Sequence, residues 1–426
     1  MSLNPLPLLI SAAGIYLIFK LRLFFILHPI RTLRLGRSAI GTPRELASFT
    51  LALAGTLGVG NVFGVAVGIM IGGAGSVFWL LVSVLFSSVI KYCEVTLASD
   101  NSSATGGGMF YAIRNTYPKY GVVLSCIYAI ACLALGIVMG AALQTHTVSS
   151  TYAEIFDTPP TLVPWALLIV VLLAVLRDRR FISRLTLFII PLTTVVYVSM
   201  TLSVILAHLS EIPSVTRLIL YDAFTPKGAV GGGVAFLFSR AAAEGYSRGI
   251  LSNEAGAGTS TIAHTTVDGA EPAARGVLGI FEVLFDTALL CMLTAYAILL
   301  SVPDPTLANG GMALVLAALE TSLGRASPYL LFISVLAFAY STVVCWYYYA
   351  AECVRQLLGR EPRVLFLLVF ASAILLGGTV GESTLVLLSD ILLLMLSLLS
   401  LPTVLKNSDR VKALSESSGL IGPRIK

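Results

Sequence analysis

The sequence predicts an all-α integral membrane protein of about eleven transmembrane helices, one N-terminal helix followed by two runs of five. Three observations carry this. First, 57% of the 426 residues are hydrophobic, only 12% are charged and the mean hydropathy is +0.92, well outside the range of soluble globular chains. Second, the apolar segments have helix length, not the ten-residue alternation of an outer-membrane barrel. They fall near 6–27, 47–72, 76–98, 121–153, 161–177, 185–208, 229–264, 273–301, 327–356, 363–381 and 384–402. Third, basic residues segregate: 21 of the 27 lysines and arginines fall in loops on one side, 3 on the other, and three lie in or at the edge of spans. That bias puts the N-terminus outside and the C-terminus inside a cytoplasmic membrane.

In chain order, this divides the protein into an N-terminal helix and basic cytoplasmic loop (1–44), a first five-helix unit (45–208), a second (228–402) and a cytoplasmic tail (403–426). The first apolar stretch lacks a basic n-region and a small-residue cleavage site, so it reads as a retained span. Between the eighth and ninth spans, "NGGMALVLAALETSLG" is too short to cross and suits a surface helix or lid. The tail after Lys406, with "SDRVKALSESSG", is the one low-complexity, disordered-looking stretch. The six cysteines lie in or at the ends of apolar segments with no CxxC pair, so they read as buried small hydrophobes. The net charge of +5 is a topology signal; no basic stripe interleaved with aromatics argues for nucleic acid.

Two spans carry residues that weaken a helix. The stretch "GTLGVGNVFGVAVGIMIGG" has glycine at 55, 58, 60, 64, 68, 72 and 73. A dinucleotide fingerprint fails by spacing, since Phe63 stands where its third glycine belongs and no strand precedes it. Gly64, Gly68 and Gly72 read as a small-residue packing ridge. "GTLGVGN" reads instead as a helix break near mid-membrane, where freed N–H and C=O groups persist only if something polar occupies them. The second break is "RGILSNEAGAGTSTIAH", through Ser252, Asn253, Glu254, Gly256 and Gly258. Each break opens a run of five spans, and an odd number per run inverts the second run, the plan in which interrupted helices build a midplane site. Half-helix N-termini suit an anion and facing C-termini a cation.

The residues "GTLGVGNVFGVA", "GGAGSVFW", "KYCEVTLA", "GGGMFYAI", "SNEAGAG", "GVLGIFEVLFDT" and "STVVCWYYYAAECV" resemble, in order and over roughly residues 44–356, the alanine or glycine:cation symporter family. The resemblance implies the leucine-transporter fold and Na+-driven uptake of a small neutral amino acid. The chain departs from it where "GGGMF" and "SNEAGAGT" replace the more usual "GGPMY" and "SNEAGMGS".

Combined with the chemistry of the residues, this gives a candidate site. Gly58, Val59 and Gly60 would offer backbone N–H groups to a substrate carboxylate, with Thr56 adding a hydroxyl. Gln144 matches the family's site-facing glutamine, or bonds helix to helix. Ser252 and Asn253 would take the ammonium group, with Gly256 of the same break in the substrate set. For Na+, the resemblance implies carbonyls near Ala54 and Leu57 with the hydroxyls of Ser341 and Thr342, hard oxygen ligands of the kind an alkali cation requires. Asn61 ligates the cation or pins the broken helix. Trp346, one turn beyond Thr342, would face the same cavity and limit side-chain size.

Charged residues at depth normally face a cavity or a partner. Glu254 reads as a gate or proton acceptor. Asp286, i+4 from Glu282, is the next candidate cation ligand, and Lys91 with Glu94 reads as a structural pair near the inner surface. His146 and His264 read as ordinary polar contacts. No phosphate loop, HExxH motif or nucleophile elbow is present, which argues against an ATP-driven pump and a hydrolase. H+ coupling, or an uncoupled carrier or channel, is the alternative.

Overall fold

The computed structural model describes residues 5–102, 106–177, 179–225, 240–267, 271–305, 310–360 and 363–422, and among them the architecture is a bundle of helices. Six helical stretches are long and apolar enough to cross a membrane: Gly75–Asp100, Gly121–Phe156, Arg184–Ala207, Pro272–Ser301, Gly311–Leu358 and Glu382–Lys406. The bent pair Pro43–Thr56 and Val59–Gly72, whose halves meet at 56°, is long and apolar enough when taken together. Leu6–Leu21, Val163–Val175 and Arg363–Gly377 are shorter apolar helices. Residues 229–239 of the expected 229–264 span, and the expected boundary at 228, lie outside the described residues.

Local sequence explains where helices start and stop. Thr42 begins Pro43–Thr56 through a capping box: its hydroxyl accepts from the Glu45 N–H, and the Glu45 carboxylate accepts from the Thr42 N–H at 2.9 Å. Pro43 and Pro272 occupy first-turn positions where no N–H is needed. Gly359, at φ 69°, ends Ser327–Leu358 in the left-handed conformation that glycine tolerates.

Gly75–Asp100 is the central post. Its 26 residues span about 39 Å, more than the hydrocarbon core. Small residues let its neighbours in: a Cβ at Gly245 or Gly249 would overlap Ser76 or Ser83, and one at Gly276 would overlap Thr96. Where hydrophobic burial gives no drive between helices, such close backbone approach is what holds them.

Three segments differ from the sequence reading. Residues 1–44 do not end in a loop: Phe24–Leu27 and the amphipathic Pro29–Ser38 are helical, too short and too basic for a hydropathy window to register. Ile212–Phe224, expected as a connection, is a helix whose Asp222 Oδ2 accepts from the Gly75 N–H at 2.8 Å and whose Ala223 carbonyl accepts from the Trp79 indole at 3.2 Å. The described part of the tail is helical through Ser417. Ser408–Ser417 docks by a Tyr92–Ser415 hydroxyl contact at 2.6 Å and a Lys20–Asp409 pair at 2.5 Å. The segment expected as a lid is the helix Gly311–Leu323, leaning on the first broken span, where a Cβ at Gly311 would stand 3.0 Å from Val67 Cγ1's partner methyl Cγ2 and 3.1 Å from the Phe63 ring.

Candidate substrate and cation site

The first break runs through Leu57 and Gly58 into a short tight turn, Val59–Asn61, before the helix resumes at Phe63. Ending a helix in mid-bundle leaves its last four carbonyls without intrahelical donors. Each has a partner here. Leu53 O accepts from the Leu57 N–H at 2.6 Å and Thr56 O from the Gly58 N–H at 2.8 Å. The Thr342 hydroxyl donates to Ala54 O at 3.0 Å and stands 3.4 Å from Leu57 O, and the Trp346 indole N–H reaches Gly55 O at 3.2 Å. These caps are neutral, and each carbonyl keeps a second lone pair.

On the other side of the break, the Val59 N–H donates to Gln144 Oε1 at 3.3 Å. Gly58 permits this approach: a Cβ there would lie 3.0 Å from Thr342 Oγ1 and 3.2 Å from Gln144 Oε1. Gln144 follows directly on a wide, π-helical stretch, Gly136–Leu143, and a second such stretch, Leu284–Cys291, carries Asp286. Such stretches recur at functional sites.

Asn61 joins the two breaks. Its amide N–H group donates to Asp286 Oδ1 at 2.6 Å and to the Asp286 carbonyl at 2.9 Å, and Ser252 Oγ lies 3.3 Å away. Ser252 and Thr287 each donate to Asp286 Oδ2 at 2.7 Å. Thr294 caps the Asn61 carbonyl at 3.0 Å, while Asn61 Oδ1 is buried with no hydrogen-bond partner. Asn61 thus ties the first break to Asp286, and its unpartnered oxygen borders an oxygen-rich cluster.

The second break is held by charge. Lys91, buried in the central post, donates to the Asn253 carbonyl at the end of Arg240–Asn253 at 2.7 Å and pairs with Glu282 at 3.1 Å. His264 Nε2 lies 3.0 Å from the other Glu282 oxygen, a firmer contact than the sequence suggested. Glu94 accepts from Ser400 at 2.8 Å, so Lys91 and Glu94 serve the second break and its surroundings instead of forming an isolated pair. Glu254, at φ 54°, accepts from Thr259, and its Oε1 is buried without a partner. Gly256 and Gly258 adopt φ 91° and 73°, and the Ala257 carbonyl accepts from the Tyr128 hydroxyl at 2.6 Å.

A cavity of about 30 Å³ opens between the breaks. Of the expected substrate residues, Thr56, Gly58, Val59, Gly60, Gln144 and Ser252 line it, as does Glu254. Asn253, Gly256 and Trp346 are not in its wall. Asn253 spends its side chain on Thr287 at 3.1 Å and on the Ala255 N–H at 3.0 Å. Trp346 is fully buried against Gly140, behind the wall. Ser341 turns its hydroxyl back to Ala337 O and Phe338 O, both at 2.9 Å, so of the adjacent hydroxyls Thr342 alone meets the Ala54 and Leu57 carbonyls. The glycine ridge divides: Cβ atoms at Gly60 and Gly64 would meet nothing within 4 Å, whereas one at Gly68 would stand 3.1 Å from Arg248 Cγ and one at Gly72 3.1 Å from Glu244 Cβ. Gly64 faces the cavity and does not pack.

Sequence reasoning missed Phe63, Met139, Leu143, Leu251, Val386 and Arg248 in the wall. The apolar ones carry no signal in a chain this hydrophobic. Arg248, paired with Glu244 at 3.0 Å, was legible as a charge at the edge of a span but not as a wall residue.

Two broken helices enclose a small, largely apolar cavity inside an apolar bundle, the arrangement of a multi-pass membrane transporter of the leucine-transporter fold. A solved structure of similar shape, MhsT in complex with L-phenylalanine, has a TM-score of 0.62 at 14% identity, covering 89% of this chain and 95% of that one. The family model of the sodium:alanine symporter family matches residues 2–416, and the chain belongs to that family. It is 28% identical over 425 residues to an uncharacterized transporter, YflA, of Bacillus subtilis, covering 96% of this chain and 89% of that protein. It is 29% identical over 340 residues to the sodium/alanine symporter AgcS of Methanococcus maripaludis, covering 77% and 74%.

Proposed function

We propose that this transporter carries a small neutral amino acid, alanine or glycine, into the cell together with Na+ by alternating access. The observation that carries the reading is that the first break, Gln144 and Ser252 of the second break line one cavity between the broken helices, which with room for about two water molecules would have to widen to admit an amino acid. The amides around Gly58 to Gly60, with Gln144, would receive the carboxylate, and Ser252 the ammonium group. Na+ would travel at the Ala54 and Leu57 carbonyls under Thr342, with Asn61 and Asp286 linking that ion to the second break. AgcS, a sodium/alanine symporter by name, supports the choice of ion and substrate.

In this reading the chain spans the membrane eleven times, with a five-plus-five inverted repeat and its N-terminus outside a prokaryotic inner membrane. The test of transport is uptake of labelled alanine and glycine into proteoliposomes with and without an inward Na+ gradient. Accumulation driven by Na+ supports the proposal; equilibration without accumulation makes the protein an uncoupled carrier or channel. Glu254, with one buried carboxylate oxygen lacking a partner, favours H+ as the second reading, and accumulation driven by a pH gradient in Na+-free buffer would establish it. Orientation is tested by Asp304→Cys, expected to react with an impermeant thiol reagent from outside, against Arg180→Cys, expected to react only from inside.

A further inference from the structure

Between Lys20 and Arg44 the chain has six basic residues and not one aspartate or glutamate. Within this stretch lies Pro29–Ser38, ten residues that rise about 15 Å, half the thickness of the hydrocarbon core and too short to cross it. One face is fixed to the protein. Thr32 and Gly36 are buried, and a Cβ at Gly36 would overlap Phe281 and stand 2.8 Å from Val277 Cγ1. The opposite face is exposed and mixed: Ile30 and Leu33 are 64% and 58% exposed, with Arg31, Arg34 and Arg37 exposed among them.

Three other basic side chains at this end of the bundle have acids to meet, while Arg22 bonds the Gly422 carbonyl and Lys406 the Thr116 carbonyl. Lys20 pairs with Asp409, Arg410 with Asp100 at 2.8 Å, and Lys412 with Glu416 at 3.7 Å. Arg31, Arg34 and Arg37 have no carboxylate within 4 Å among the described residues. The nearest acid along the chain, Glu45, is taken by the Thr42 N–H and hydroxyl. Three unpaired guanidinium groups beside two exposed aliphatic side chains match the border of a bilayer, with apolar groups reaching the acyl chains and guanidinium groups the phosphates.

We propose that Pro29–Ser38 is a docking surface for anionic phospholipid headgroups, with Arg31, Arg34 and Arg37 as phosphate contacts and Ile30 and Leu33 as the apolar footing. Arginine suits this task because its planar fork meets two phosphate oxygens at once. The surface also leans on the core: Phe281 adjoins Glu282, which holds Lys91 and His264 beneath the second break. The proposal is independent of which amino acid or ion is carried.

The test uses the full chain in a neutral detergent and measures binding of fluorescent phosphatidylglycerol by anisotropy, with unlabelled phosphatidylglycerol, phosphatidylcholine and inorganic phosphate as competitors. The triple variant Arg31→Gln, Arg34→Gln, Arg37→Gln is expected to weaken phosphatidylglycerol binding roughly 100-fold with its melting temperature unchanged. The corresponding triple lysine variant should retain most of the binding, and Lys412→Gln, which alters a paired cation, should leave it intact. Equal binding by the triple glutamine variant, equal competition by phosphatidylcholine, or displacement by inorganic phosphate as readily as by the lipid would overturn the proposal.

Discussion

The two helix breaks solve one backbone problem with opposite chemistries. At the first, "GTLGVGN" supplies glycine and apolar residues, and the exposed carbonyls are met by neutral donors from a distant helix, Thr342 and Trp346. At the second, "SNEAGAGTST" supplies polar residues, and the terminal carbonyl of Asn253 is met by the ammonium group of Lys91. A neutral cap leaves a carbonyl able to accept a mobile cation; a charged cap supplies the positive charge from within the protein. In the proposed function, the first break would exchange its partner and the second would keep one.

The largest effect expected from this contrast is at Lys91. Lys91→Met leaves Glu282 and the Asn253 carbonyl buried without their cation, a loss of about 3–5 kcal/mol. The yield of folded protein should collapse, and adding Glu282→Gln should recover part of it, read as the melting temperature of the purified variants. A Lys91→Met protein as stable as the parent would mean that the second break is not held by charge.

Gly60→Ala comes next and acts on function alone. Its Cβ would meet no protein atom within 4 Å and would project into the cavity, so the fold should tolerate it. Alanine or glycine binding should fall by about 1–3 kcal/mol, the usual penalty for overfilling a tight site. Equilibrium binding of labelled ligand, beside a melting curve, separates the two effects, and normal binding would move the carboxylate away from this break.

The adjacent hydroxyls should differ. Thr342→Ala should raise the Na+ concentration for half-maximal uptake roughly tenfold, equivalent to about 1.4 kcal/mol, the size of one contact to a charged group. Ser341→Ala should change it much less, because that hydroxyl is already bonded to its own helix. Equal shifts in the two Na+ titrations would show that both hydroxyls serve the ion. The smallest effect is expected at Gly68→Ala, where the Cβ would press on Arg248 at 3.1 Å: a melting-point change worth less than about 1 kcal/mol, with ligand binding intact.

Both breaks were legible in the sequence because glycine, asparagine and glutamate contrast sharply with an apolar background. Partners that close those breaks were less so. Thr342 and Gln144 came from resemblance, since nothing local says that a hydroxyl or an amide nearly three hundred or ninety residues away will reach a given carbonyl or N–H. Trp346 shows the limit of periodicity. One turn from Thr342 it shares that helix face, but Gly140 admits the indole behind the wall instead of into the cavity. The glycine ridge failed in a similar way, because equal spacing along the chain does not reveal where the neighbouring helix diverges and leaves Gly64 bare. The basic helix at 29–38 is short and amphipathic, so it carries none of the long, uniformly apolar pattern that marks a span in the sequence.

The wide turns at Gly136–Leu143 and Leu284–Cys291 set a constraint on insertions and deletions. A π turn holds one residue more than an α turn, so every side chain beyond it is rotated by roughly 100° from where an unbroken α-helix would put it. Gln144 meets the Val59 N–H in that rotated register. Removing a single residue such as Val138 would let the helix return to ordinary pitch with Gln144 still aimed at the break, whereas inserting one between Leu143 and Gln144 would turn that side chain by roughly 100° for only about 1.5 Å of added length. Such an insertion keeps the span and the composition almost untouched, yet it withdraws the Gln144 amide from the Val59 N–H. In these two helices the count of residues matters more than their identity.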